Sequence, residues 1–347
     1  MRHPVSRLRA GALAVGLALT AAALLPSGPA GAADQYEWAA LGDSFTAGLF
    51  VGEPKPALGD ASRDGCDRTT DAYPSLVDRE LAEFPPGKPV HLTDAGCGAA
   101  AIPEIATAKQ TPISPVDPPA GGWPAVEPQT RRTRLGDGTD VVTIGVGAKS
   151  LGLGALLLKC RELGHGGKSC RDHFTNPPEG TEGIDDRLAR IQDEYIEMLA
   201  HVHQTAPNAK VITVGYPALL PEKGSACNSA DPTQLGSTTP DDVDWLRDGV
   251  LRQLNSTIQR VTEFFGDRFV DVYGSSVGHD ACQPADTKWV EGFCGDAADY
   301  WPSRLPGGPL DCTAIGRRAT LVHPNAAGHA NTASHVERAI RIALLER

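Results

Sequence analysis

Short apolar runs alternate along the chain with amphipathic stretches. Five runs read as strands: Glu37 to Leu41, Val90 to Asp94, Val141 to Gly145, Val211 to Tyr216 and Arg268 to Val272, each followed within a few residues by Gly, Ser, Pro or Asp. Between them, apolar residues recur at helical spacing. Ile184, Leu188, Ile191, Tyr195, Met198 and Val202 share one helical face, as do Val243, Leu246, Val250, Leu254, Ile258, Val261 and Phe265. A third helix is expected from Pro324 to Leu345, with proline early, where its missing N–H is harmless. Strand and helix in alternation predict parallel strands joined by crossover helices, an α/β fold with its site at the carboxyl ends of the strands.

Four stretches break the pattern with Pro and Gly: Gly52 to Asp67, Thr111 to Asp137, Leu163 to Gly183 and Leu219 to Pro240. Loops of this length in a compact domain are usually functional, so they are expected to wall a cleft. The first 33 residues fall outside the pattern. Arg2, Arg7 and Arg9 open the chain, Ala12 to Leu25 is apolar, and Ala30-Gly31-Ala32 offers a small-residue cleavage site. That is the layout of a secretory signal, cut near Ala32 or Ala33, with one domain spanning 34–347. No later run is apolar for long enough to span a bilayer, so a soluble, secreted monomer without stable membrane insertion is expected.

Export changes how the cysteines are read. Cys66, Cys97, Cys160, Cys170, Cys227, Cys282, Cys294 and Cys312 make an even count with no Cys-x2-Cys spacing, which favours disulfides over a metal site. Spacing alone singles out Cys160 with Cys170; the other pairings stay open. The net charge of −11 in 347 residues argues against the basic footprint of a nucleic-acid binder.

Two segments carry candidate chemistry. Gly42-Asp43-Ser44-Phe45 follows the first strand and places a serine on a strand-to-loop turn, while His323-Pro324-Asn325 precedes the last helix. A serine hydroxyl is a weak nucleophile until a base takes its proton, so the pair matters more than either member. Gly274-Ser275-Ser276-Val277-Gly278 matches the Gly-x-Ser-x-Gly elbow, but the loop residues His279 to Pro284 follow where that motif needs a helix. His201 and His203 lie two apart on a helix and point to different faces, which makes a poor metal pair.

With these motifs, the chain after residue 33 resembles the SGNH, or GDSL, hydrolases, and within them the secreted, disulfide-containing esterases and lipases. The resemblance implies a flavodoxin-like three-layer α/β/α sandwich and cleavage of small-molecule or lipid esters, without metal or organic cofactor. It makes Ser44 the nucleophile and an oxyanion donor through its N–H, and His323 the base. The family often carries an acid three residues before the histidine; Thr320 stands there, so its backbone carbonyl is the expected orienting group, with Asp311 the acidic alternative. In Asp94-Ala95-Gly96-Cys97-Gly98-Ala99, the family's oxyanion glycine aligns with Ala99, or with Gly98 after a one-residue deletion. In Gly145-Val146-Gly147-Ala148-Lys149-Ser150, Lys149 takes the place of the oxyanion asparagine. That substitution motivates a second expectation, a degenerate member that binds an ester or glycan without efficient turnover.

Overall fold

The computed structural model describes residues 34–305, 308 and 310–345. Residues 1–33, on which the signal is expected, lie outside them. Gln35–Arg347 forms one compact unit.

Five strands, β1 (Tyr36–Gly42), β2 (Val90–Asp94), β3 (Val141–Gly145), β4 (Lys210–Val214) and β5 (Arg268–Val270), form one parallel sheet in the order β2-β1-β3-β4-β5. The long helices are α1 (Tyr73–Glu83), α2 (Leu153–His165), α3 (Ile184–Thr205), α4 (Arg252–Phe264) and α5 (Ala326–Leu345). Period-two alternation along β1 divides the core. Trp38 and Ala40 pack with Tyr73 and Val77 of α1 and Val336 and Ile340 of α5. Ala39 and Leu41 face the opposite way, into a cluster with Leu156 of α2, Ile191 and Met198 of α3 and Leu254 of α4. The result is the flavodoxin-like three-layer α/β/α sandwich. In this strand order the topological switch falls between β1 and β3, which opens a crevice at their carboxyl ends.

Differences from the sequence expectation have local causes. β4 ends at Val214 because the Tyr216 backbone bonds to the Asn255 side chain, its N–H to Oδ1 at 2.8 Å and its carbonyl to Nδ2 at 2.9 Å. β5 ends at Val270 because Asp271 Oδ1 accepts from the N–H groups of Tyr273 and Gly274 and turns the chain. The expected Val243 to Phe265 helix is continuous but widens into a π-helical turn over Leu246–Leu251. Pro324 lies outside α5, in an antiparallel bridge with Val290.

Four disulfides join Cys66 to Cys97, Cys160 to Cys170, Cys227 to Cys282 and Cys294 to Cys312. The Cys160–Cys170 link is the one that spacing favoured. No helix among the described residues is long and apolar enough to cross a membrane.

Candidate active site

Ser44 opens a single helical turn, Ser44–Ala47, at the carboxyl end of β1. Gly42, at φ +156°, is what lets β1 run so close to β3: a Cβ there would lie 2.4 Å from the Gly145 carbonyl oxygen. The buried Gln129 amide grips the same residue from the side, accepting from the Gly42 N–H at 2.7 Å and donating to its carbonyl at 2.8 Å. Asp43 then donates its N–H to Gly145 O and caps the turn by accepting from the Phe45 N–H. These contacts fix the backbone that carries the Ser44 hydroxyl.

His323 Nε2 lies 2.8 Å from Ser44 Oγ, although the two are 279 residues apart. Its Nδ1 faces two main-chain carbonyls, Thr320 O at 3.1 Å and Leu321 O at 3.0 Å. Both carbonyls reach one nitrogen because Leu321 and Val322 take left-handed backbone conformations, φ +49° and +59°. Such a conformation costs a side-chain-bearing residue about 1–2 kcal/mol. The segment at 290–293 offsets that cost: Thr320 and Leu321 donate to Phe293 O, Val322 donates to Gly292 O, and the Thr320 hydroxyl also donates to Gly292 O. Asp311 is exposed and pairs with Arg304, away from the histidine.

The imidazole is sandwiched by aromatic rings. Phe45 stacks on it at 4.6 Å, and Phe50 meets it edge-on at 5.0 Å. Burial lowers its proton affinity to about 4, and the hydrogen bonds to the Leu321 and Thr320 carbonyls pull it part of the way back. His323 is therefore neutral at pH 7; the residue is half-buried and lines the cleft.

Hydrogen bonding distinguishes Gly98 from Ala99. The Gly98 N–H is consumed by Cys66 O at 2.9 Å, and the Gly98 carbonyl by Gln110 Nε2 at 2.7 Å. The N–H groups of Ala99 and Ser44 have no acceptor among the described residues. Ala99 sits at φ +59°, a conformation that glycine adopts more cheaply. The Cys66–Cys97 disulfide anchors this loop, helped by Arg132, which donates to Ala95 O and pairs with Asp64. Lys149 lies in the helical turn Ala148–Leu151 that follows β3; its carbonyl accepts from the Gly152 N–H, and its exposed side chain makes no hydrogen bond or ion pair among the described residues.

Ser44, Ala99, Lys149 and His323 all line one cleft of about 260 Å³. Its walls are otherwise mostly apolar, with Leu49, Phe50, Ile113, Leu153, Leu157 and Trp301 prominent. The first two Pro/Gly-rich stretches reach the cleft through Gly65, Asp67 and Ile113 to Pro115. Leu163 to Gly183 and Leu219 to Pro240 do not line it, contrary to expectation: the former folds into a helical turn, Cys170–Thr175, tied back to α2 by its disulfide, and the latter is held by Cys227–Cys282. The wall from α2 and the Trp301 to Leu305 segment was not foreseen, because neither carries a chemical motif.

The other candidates are structural. Ser276 is buried in a short helical turn; its hydroxyl donates to Val272 O at 2.7 Å and accepts from the Ala218 N–H at 2.8 Å. His203 pairs with Asp267. Among the described residues no group of three or more His, Cys, Asp or Glu could hold a metal ion. What sequence reasoning missed is Tyr216, whose buried hydroxyl donates to Asp43 Oδ2 at 2.5 Å and accepts from the Ala148 N–H at 2.7 Å. Its place at the end of a parallel strand, before Pro217, was the available signal.

The chain and its fold resemble known proteins. The chain is 31% identical over 332 residues to Lipase 2 of Streptomyces coelicolor, covering 94% of this chain and 92% of that one. It is 30% identical over 303 residues to an esterase of Streptomyces scabiei, covering 81% of this chain and 83% of the relative. Among solved structures, phospholipase A1 from Streptomyces albidoflavus shares the fold, with a TM-score of 0.55 at 19% identity over 89% of this chain and all of that one. Residues 40–330 match the profile of the GDSL-like Lipase/Acylhydrolase family, so the chain belongs to that family and is a hydrolase of the esterase/lipase type.

Proposed function

We propose that this hydrolase cleaves carboxylic esters through an acyl-enzyme on Ser44. His323 Nε2 takes the hydroxyl proton as Oγ attacks the ester carbonyl; the tetrahedral intermediate collapses, and His323 returns the proton to the departing alcohol. Water then repeats the sequence against the acyl-enzyme and releases the acid. The observation that carries the reading is the 2.8 Å contact between Ser44 Oγ and a neutral His323.

The Thr320 and Leu321 carbonyls do the orienting work of a carboxylate: accepting from Nδ1–H fixes the tautomer that leaves Nε2 free to take a proton. Two neutral acceptors support imidazolium less than a carboxylate does, which fits the low proton affinity of the ring. The Ser44 and Ala99 N–H groups serve as oxyanion donors, with the Lys149 ammonium as the third. The apolar cleft suits the acyl chain, in keeping with relatives named lipase and esterase. Four disulfides support the reading of residues 1–33 as a secretory signal and of an extracellular site of action.

A second reading, binding without efficient turnover, draws on the exposed and unanchored Lys149 side chain. Hydrolysis of p-nitrophenyl butyrate by the wild type and by Ser44→Ala and His323→Ala separates the two. The ester-hydrolase reading expects turnover that falls at least about 1000-fold in either variant. Wild-type protein that is folded but no faster than Ser44→Ala would favour binding.

A further inference from the structure

The phenol of Tyr216 joins two turns that the reaction must hold in register. Its hydroxyl donates to Asp43 Oδ2, and Asp43 Oδ1 accepts from the Phe45 N–H, on either side of Ser44. The same hydroxyl accepts from the N–H of Ala148, the residue before Lys149. The ring meets Phe45 edge-on at 4.9 Å, and Phe45 in turn stacks on His323. Asn255 of α4 holds the Tyr216 backbone by both its N–H and its carbonyl. The bonds that Tyr216 itself makes, to Asp43, Ala148 and Asn255, are all buried, so a lost partner there is not replaced by solvent.

We propose that Tyr216 is a positioning residue for this ester hydrolysis, its hydroxyl tying the Ser44 turn to the Lys149 turn and so setting the nucleophile against the oxyanion site. The inference rests on the ester-hydrolase reading. Tyr216 touches neither substrate nor reacting atoms; it acts through Asp43 and Ala148.

The charge state of Asp43 gives the tie a signature. Burial raises this carboxyl to about 6, against the hydrogen bond from Tyr216 and backbone N–H groups, which pull it down. The other titratable groups that feel it are the buried phenols Tyr73 of α1 and Tyr195 of α3; burial and nearby acid charge push both upward, so they stay protonated at neutral pH. Without the Tyr216 hydroxyl, Asp43 takes up a proton at higher pH.

The test compares full-length wild type, Tyr216→Phe, Asp43→Asn and the double variant in p-nitrophenyl butyrate hydrolysis from pH 5 to 9, with hydrogen exchange of peptides covering Phe45 and Ala148. Phenylalanine keeps the packing against Phe45. The tie predicts a kcat about 10- to 100-fold lower in Tyr216→Phe, KM within about threefold, and an acid limb displaced to higher pH. The double variant should cost no more than the worse single one, because one hydrogen bond is shared. Faster exchange at Phe45 and Ala148 in Tyr216→Phe is expected whether or not the wild type turns over ester, so failure of the ester-hydrolase reading leaves the tie open to judgement. Unchanged kcat and pH profile in a turning-over protein, additive costs, or unchanged exchange would overturn the proposal. Should Tyr216→Phe not fold, Asp43→Asn alone carries the same kcat and exchange readouts, since its amide cannot accept from both Tyr216 and Phe45.

Discussion

Replacing Lys149 with methionine removes an ammonium while keeping most of the apolar stem. The side chain is exposed and makes no hydrogen bond or ion pair among the described residues, so folding stability should stay within about 0.5 kcal/mol of wild type. Catalysis should respond much more. The Ser44 and Ala99 N–H groups remain as donors, and loss of the third should lower kcat about 100-fold, equivalent to about 2.7 kcal/mol of transition-state stabilisation. KM should hardly move, because the oxyanion forms only on the way to the tetrahedral intermediate. A positive charge in the cleft that His323 lines also disfavours imidazolium, so Lys149→Met should shift the acid limb of kcat/KM to slightly higher pH. Steady-state hydrolysis of p-nitrophenyl butyrate between pH 4 and 9, with thermal unfolding alongside, reads all of these. A kcat within threefold of wild type would refute the assigned role. A rise of tenfold or more in Lys149→Asn would show that lysine impairs the site, as the binding reading requires.

Three further outcomes follow from the structure. His329 is fully buried with Nε2 unpartnered, and burial lowers it to about 3, so it stays neutral in the fold while the unfolded chain takes up protons below about 6.5. Its contribution to stability is therefore lost progressively as pH falls from about 6.5 through 3; His329→Leu should stabilise the protein by about 1 kcal/mol at pH 7 and by more at pH 5, read by urea unfolding at both. Ser276→Ala should cost about 1–3 kcal/mol of stability, because it strands the buried Ala218 N–H, and leave kcat intact by the same ester assay. Cys66→Ser with Cys97→Ser should cost about 2–4 kcal/mol and lower kcat, because the disulfide anchors the loop that presents the Ala99 N–H; denaturant melts and kinetics without reductant check both.

The hydrophobic pattern made the sandwich legible, since the five strands and the faces of α3 and α4 follow from period two and period 3.6. The motifs brought Ser44 and His323 together across 279 residues. Other features depend on long-range hydrogen bonding that no local pattern encodes. Gly98 and Ala99 are not distinguished by the sequence, and only the fold shows that Cys66 O occupies the Gly98 N–H. Thr320 stood out by its spacing from His323, but the second carbonyl, Leu321 O, becomes available only through two successive left-handed residues, one of them the β-branched Val322. Tyr216 read as the end of a strand because its neighbours are apolar; what removes it from the sheet is Asn255, 39 residues on. α2, which walls the cleft, is absent from the elements expected from the sequence, and its position against Ser44 follows from packing alone.

The most direct test of the account is covalent labelling of the purified protein with a fluorophosphonate serine probe, followed by peptide mapping, with Ser44→Ala as the control. A single adduct on Ser44 at pH 7, absent in the control, is the predicted result, because a neutral His323 is already in place to take the hydroxyl proton. An unlabelled but folded protein, or an adduct on Ser276, would contradict it.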